Sequence, residues 1–140
     1  YDLNQKISAG QAAFAVVMVD LNQLKEVNDR FGHEKGNIAL QTLCRAVCRL
    51  YKHSPVYRIG GDEFVVILEG EDYDNRDALF PKVQAFERIR DLKAAQPWTQ
   101  LAASVGMAVY DQTCDAAYQA VFNRADTKMY EQKKHLAPRS

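Results

Sequence analysis

Nothing in this sequence is built to cross a bilayer as a helix. No stretch approaches the roughly 20 consecutive apolar residues such a span needs, and no signal peptide is visible. Net charge is absent as well, 18 Lys and Arg balancing 18 Asp and Glu. Bulk electrostatics therefore suggest neither nucleic acid nor an anionic membrane as partner, although a metal and a few lysines could still hold a polyanion locally. Cysteine is scarce and odd in number, three in all, with no CxxC pair and no Cys/His cluster. Cys44 and Cys48 fall in a helical pattern and Cys114 stands alone. All three are expected to be small buried or half-buried side chains in a reducing compartment, not a metal or redox site. Internal repeats and linkers are also missing, so residues 1–140 are expected to form one domain. The chain begins at Tyr1 rather than Met, and the expectation is a module excised from a longer protein.

What is present suits a globular fold: 140 residues, 47% hydrophobic and 26% charged, enough to bury a core without disulfides. Phe14 to Val19 is apolar without alternation, as a central strand covered on both faces requires, and it ends at Asp20. A polar helix is predicted from Gln23 to Phe31, broken at Phe31-Gly32-His33. An amphipathic helix follows through Ile38, Leu40, Leu43, Val47 and Leu50 to about His53, closed by Pro55. Val56 to Ile59 and Phe64 to Leu68 read as two strands of a hairpin around Gly60-Gly61. Glu69 to Asp77 reads as a solvated acidic loop whose ligand spacing does not suit calcium. Leu79, Val83, Phe86, Ile89 and Leu92 mark a third helix, Leu101 to Tyr110 a strand, and Ala117 to about Lys134 a last helix with Met129 and Tyr130 on its core face. The order β-α-α-β-β-α-β-α implies an α/β (α+β) fold with one mixed central sheet flanked by helices.

Two places combine carboxylates with a backbone that exposes them. Asp20 sits at the carboxyl end of a buried strand, where open sheets bind ligands. Asp62 and Glu63 follow Gly60-Gly61, where glycine permits positive φ and close approach of a ligand. If the hairpin lies beside the first strand, Asp20 meets Asp62 or Glu63. Clustered carboxylates repel without a cation between them, and hard oxygen donors with no nearby His or Cys favour Mg²⁺ or Mn²⁺ over zinc. Such a site can hold a triphosphate and activate a hydroxyl for in-line attack. The plainer alternative makes Asp20 a helix N-cap and Asp62-Glu63 an exposed turn.

The string Arg58-Ile59-Gly60-Gly61-Asp62-Glu63-Phe64 contains the GGDEF signature letter for letter. Val19-Asp20-Leu21-Asn22-Gln23-Leu24-Lys25-Glu26-Val27-Asn28-Asp29 resembles that family's VDxDxFKxxND segment, and Phe31 to Gly36 its FGHxxG turn. Ser104 to Ala108 looks like SxGxA, and Ala125-Asp126, Met129-Tyr130 and Lys133 look like ADxxMYxxK. Together these motifs span residues 14 to 134, and the chain is identified as resembling the GGDEF family of diguanylate cyclases. The resemblance implies a palm-like sheet related to nucleotidyl cyclases and the joining of two GTP into cyclic di-GMP. It implies Asp20 and Asp62 as Mg²⁺ ligands with the Leu21 carbonyl, and Glu63 as second metal ligand or as acceptor of the 3′-hydroxyl proton. Lys25 and Lys133 would contact phosphates, Asn28 the guanine edge, and the backbones of Phe31-Gly32 and Gly60-Gly61 phosphates and base. Phe31, Phe64 and Met107 are expected to pack, and His33 to stabilise its turn by a hydrogen bond rather than act as a base. Further implications are a homodimer across the two-fold symmetric product, an upstream sensory domain, a downstream phosphodiesterase domain, and a cytoplasmic setting, including the cytoplasmic part of a membrane-anchored sensor.

The match also departs from the pattern. Asn37 stands where the family has an Asp that accepts hydrogen bonds from guanine. An amide there leaves a donor unpaired at a cost of about 1–3 kcal/mol, which opens the site to relaxed purine choice. Asn22 replaces the second Asp of VDxD and Leu24 the phenylalanine. Tyr51-Lys52-His53-Ser54 stands where the product-inhibition motif RxxD belongs, Tyr1 to Gln5 does not match the leading DxLTGLxNR segment, and Leu136-Ala137 replaces a Gly-Arg pair. Beside the active cyclase, two readings stay open: a degenerate domain that binds GTP and regulates a linked domain, and a purely structural dimerisation module.

Overall fold

The first apolar run becomes β1 (Ala15–Leu21), with no residue more than 3% exposed. The structure, a computed structural model, describes residues 2–136, so Tyr1 and Ala137 lie outside the described residues. Around β1, the chain runs α1 (Leu3–Ser8), β1, α2 (Leu24–Phe31), α3 (His33–Leu50), β2 (Val56–Arg58), β3 (Glu63–Leu68), α4 (Gly70–Asp74), α5 (Arg76–Gln84), a 3₁₀ turn (Pro97–Thr99), β4 (Ala103–Val109) and α6 (Tyr118–Leu136). Strand order is β2-β3-β1-β4. All three ladders are antiparallel, and the parallel component of the expected mixed sheet is one isolated bridge, Glu87 with Ala103.

Side chains alternate across a strand, and β1 serves two cores in that way. Ala15, Val17, Val19 and Leu21 pack with Leu40, Leu43 and Val47 of α3 and with Phe64, Val66 and Leu68. Val16 and Met18 face the other side, against Leu3 of α1 and Val121, Ala125 and Met129 of α6. Asp20 shares the even-numbered face, which directs it toward α6. At Gly106 of β4 the helix comes unusually close. A Cβ there would stand 2.5 Å from the Met129 nitrogen, with the Ala125 carbonyl oxygen nearer still. Among the described residues no helix is long and apolar enough to cross a membrane.

Several expectations are corrected. The helix predicted through Phe86, Ile89 and Leu92 stops at Gln84. Pro81 removes one intrahelical donor, and the segment beyond is held by tertiary bonds: Ala103 N–H donates to Phe86 O at 2.9 Å, and the Arg90 guanidinium donates to the carbonyls of Pro97 (2.8 Å), Gln100 (2.7 Å) and Asn22 (3.3 Å). The acidic loop contains α4, because buried Asp72 accepts bonds from His53 N–H (2.9 Å) and Ser54 Oγ (2.6 Å). Cys44 is half-buried, but Cys48 and Cys114 are exposed. Met129 is buried as expected, whereas Tyr130 is 56% exposed, carrying the Lys134 ammonium over its ring at 4.8 Å.

Candidate active site

Register brings the carboxylates together. β1 pairs directly with β3, and Asp20 lies opposite Glu63. The turn before β3 closes with Ile59 N–H donating to Glu63 O at 3.0 Å, and Leu21 N–H donates to Asp62 O at 2.8 Å, tying the turn to the end of β1. Arg58 holds the glycines from the side, donating through Nε to Gly60 O (3.2 Å) and through Nη2 to Gly61 O (2.7 Å). Asp20, Asp62 and Glu63 thereby offer carboxylate oxygens that all lie within 4.8 Å of one another. Asp20 is no helix cap, since Gln23 in the left-handed region (φ 64°) precedes α2.

Neither Gly60 nor Gly61 has positive φ, contrary to expectation. A Cβ on Gly61 would meet nothing within 4 Å, and one on Gly60 only the Glu63 side chain, at 3.8 Å and beyond. The fold itself therefore does not demand glycine here. What the pair supplies is open space over the turn, as a ligand approaching the backbone needs.

Electrostatics favour a cation. Burial, with the charge of Asp62 adding to it, pushes Asp20 up to about 6 despite the opposing Lys133 ammonium. Lys133 Nζ donates to Asp20 Oδ2 at 2.8 Å, while Asp20 Oδ1 is buried without a hydrogen-bond partner. Burial raises Glu63 as well, helped by Asp126 and Asp62. Burial disfavours the Lys133 ammonium, yet the Asp20 hydrogen bond and the charges of Asp20, Asp62 and Glu63 outweigh it and raise its pKa. An orphaned buried carboxylate oxygen beside two more carboxylates, with no sulfur or imidazole in the cluster, is a donor set that fits Mg²⁺ or Mn²⁺.

The cluster opens on a cleft of about 280 Å³ whose lining includes Leu21, Lys25, Asp62, Lys133 and Leu136. Asn28, Phe31, Gly32 and Asn37 are not among the residues lining that cleft. They gather at the α2–α3 corner, where Gly32 takes φ 92°, Asn37 is exposed on the first turns of α3, and the Phe31 ring meets Trp98 edge-on at 5.3 Å. Phe31 and Phe64 pack as expected, and half-buried Met107 lies against the larger core. His33 is exposed, and no side-chain hydrogen bond of His33 is found among the described residues, so its expected turn-stabilising bond is not made.

Three residues that contribute to the site were given no role in it by the sequence reading. Asp126 sits two helical turns before Lys133, and its charge acts on Glu63. Asn22 accepts from Ser104 Oγ at 2.9 Å and donates to Arg88 O at 3.1 Å, which makes it a structural residue in place of a second Asp. Arg90 N–H bonds the Gln23 side chain, so the segment carrying Ile89 is anchored at the cleft mouth. Asp126 and Asn22 each fall within a recognised motif, whereas Arg90 left no signal in the sequence.

The profile of the family described as "Diguanylate cyclase, GGDEF domain" matches residues 2–138. Diguanylate cyclase DgcP of Escherichia coli is 32% identical over 126 residues, covering 86% of this chain and 35% of that protein. The bifunctional diguanylate cyclase/cyclic di-GMP phosphodiesterase MucR of Pseudomonas aeruginosa is 30% identical over 122 residues, covering 86% of this chain and 17% of that protein. The chain thus spans a third or less, roughly, of these relatives. In fold, it is similar to the active GGEEF domain of a diguanylate cyclase from Vibrio cholerae, with TM-score 0.74 at 21% identity over 94% of this chain and 83% of that one.

Proposed function

The chain belongs to the GGDEF family, and from that premise we propose that it is a diguanylate cyclase domain, joining two GTP into cyclic di-GMP with release of two pyrophosphates. The observation that carries the reading is the cluster of Asp20, Asp62 and Glu63, beside an ion-paired lysine and a turn left open by two glycines. Asp20, Asp62 and the Leu21 carbonyl would hold Mg²⁺ or Mn²⁺. When bound, that ion would offset phosphate charge and polarise the reacting phosphoryl group. Lys25 and Lys133 bind phosphate oxygens, and the Phe31-Gly32 and Gly60-Gly61 backbones orient the nucleotide. Asn28 and Asn37 face the base. In the chemical step, the 3′-hydroxyl oxygen of one nucleotide bonds to the α-phosphorus of the other. The α–β anhydride bond breaks, pyrophosphate departs, and the Glu63 carboxylate, whose proton affinity burial and the neighbouring charges of Asp126 and Asp62 raise, takes the hydroxyl proton. A second such step closes the ring.

The product is two-fold symmetric, so a second copy of the domain supplies the other half-reaction. Sensory and phosphodiesterase domains linked in a longer protein, and a cytoplasmic setting where GTP is available, belong to the same reading. Asn37 favours a second reading, in which the domain binds GTP without turnover and regulates a linked domain. The deciding experiment incubates concentrated protein with Mg²⁺ and equimolar GTP and ATP, resolves products by mass spectrometry, and repeats this with Asp62→Ala. Cyclic di-GMP that disappears in the variant is the expected result. GTP binding with no product, even after enforced dimerisation, would establish the regulatory reading instead.

A further inference from the structure

Gly36 lies near the start of α3 with negative φ, so its backbone makes no demand for glycine, and glycine inside a helix costs stability relative to alanine. Packing makes the demand instead. A Cβ on Gly36 would stand 2.9 Å from Asn28 Cγ, with Asn28 Oδ1 nearer still, and 3.3 Å from Leu24 Cδ1. The Asn28 amide therefore occupies the space of the missing side chain, clamped by α3 from one side. Asn37 is the next residue of the same helix. We propose that Gly36 is a positioning and specificity-determining residue: it lets the Asn28 amide lie against α3, so that Asn28 and Asn37 present a single base-reading edge to a purine nucleotide.

This inference rests on the nucleotide-binding reading above. The Asn28 amide is the end of a short side chain, and a methyl at position 36 would push it aside while leaving the helix intact. A lost or misdirected hydrogen bond to the base lowers affinity and, because the lost contact reads the base, also lowers discrimination. Gly36→Ala should bind the α,β-methylene analogue of GTP, whose bridge prevents pyrophosphate departure, roughly tenfold more weakly in the presence of Mg²⁺. Its preference for that analogue over the corresponding ATP analogue should shrink in step. Asn28→Ala should show the same loss, and Gly36→Ala added to Asn28→Ala should cost nothing more, because no amide remains to displace.

Equilibrium titrations of the four proteins test this. Wild-type affinity and preference in Gly36→Ala, or additive losses in the double variant, would overturn the inference while leaving the functional reading intact. If Gly36→Ala alone fails to fold, the double variant must fold and bind like Asn28→Ala; a double variant that is also unfolded overturns it. A wild-type chain that binds neither analogue removes the functional reading, and this inference with it.

Discussion

Asp20 is the residue on which stability and function pull in opposite directions. Its ordinary carboxyl pKa of 3.8 is raised to about 6 in the folded chain. A raised acid pKa means that the native state holds the proton more tightly than the unfolded chain does. The corresponding stabilisation is fully present below about pH 3.8 and is lost as pH rises through 6, so at pH 7 the metal-free fold carries an uncompensated cost of at most about 3 kcal/mol. Glu63, raised in the same direction, adds to it. Asp20→Asn should therefore raise the metal-free Tm at pH 7 by a few degrees while abolishing both turnover and the Tm increase that Mg²⁺ gives the wild type. Calorimetry with and without Mg²⁺ checks both halves. A lower Tm in the variant would mean that the Lys133 ion pair outweighs the burial cost. For the wild type, Mg²⁺ affinity should fall as pH drops below about 6, where a proton competes for the buried carboxylate.

Among the elements, the irregular segment between α5 and β4 decides how the end of β1 is held. Buried Arg90 gives its guanidinium to three carbonyls, one of them on Asn22, next to the proposed Leu21 ligand. Arg90→Ala orphans those carbonyls and should cost about 2–4 kcal/mol in denaturant titration, with Mg²⁺ affinity falling as well. Unchanged stability would show that the segment is held by its apolar contacts alone. The same segment marks where sequence reading stops working. Strands β1 and β3 and helix α3 were legible because each carries the period of its own structure, and once β1 and β3 are neighbours, the meeting of Asp20 with Asp62 and Glu63 follows from register. Phe86, Ile89 and Leu92 also carry a helical period, but Arg90 bonds that no local pattern records override it. In α4, short and acidic, the helix depends on Asp72 finding donors from another segment. The Lys133–Asp20 pair joins residues 113 apart in sequence, so motif resemblance could place a lysine near the phosphates but not against the metal ligand.

For the whole molecule, stoichiometry sets the constraint. Among the described residues there is one carboxylate cluster able to hold a metal, yet the proposed product requires two symmetric attacks. Among the described residues the exposed large hydrophobic side chains fall on elements that carry the cluster: Ile89 at the cleft, Tyr130 on α6 just before Lys133, and Tyr57 and Ile59 on the arm leading into the glycine turn, where they line a separate cavity with Tyr118 and Phe122. Apolar side chains left exposed on the elements that carry a charged site stabilise the apposition of two copies rather than the isolated fold, and exposed residues of this kind contribute little to unfolding free energy. Turnover per molecule should consequently rise in proportion to protein concentration at low concentration and level off once pairs form. Ile59→Lys or Tyr130→Lys should shift that curve to higher concentration, with Tm changed by no more than a degree or two. Fusion to a coiled coil that enforces pairing should restore the plateau rate. Initial-rate measurements across a wide dilution series test the argument directly, and a specific activity that stays constant on dilution would mean that one copy completes both phosphoryl transfers.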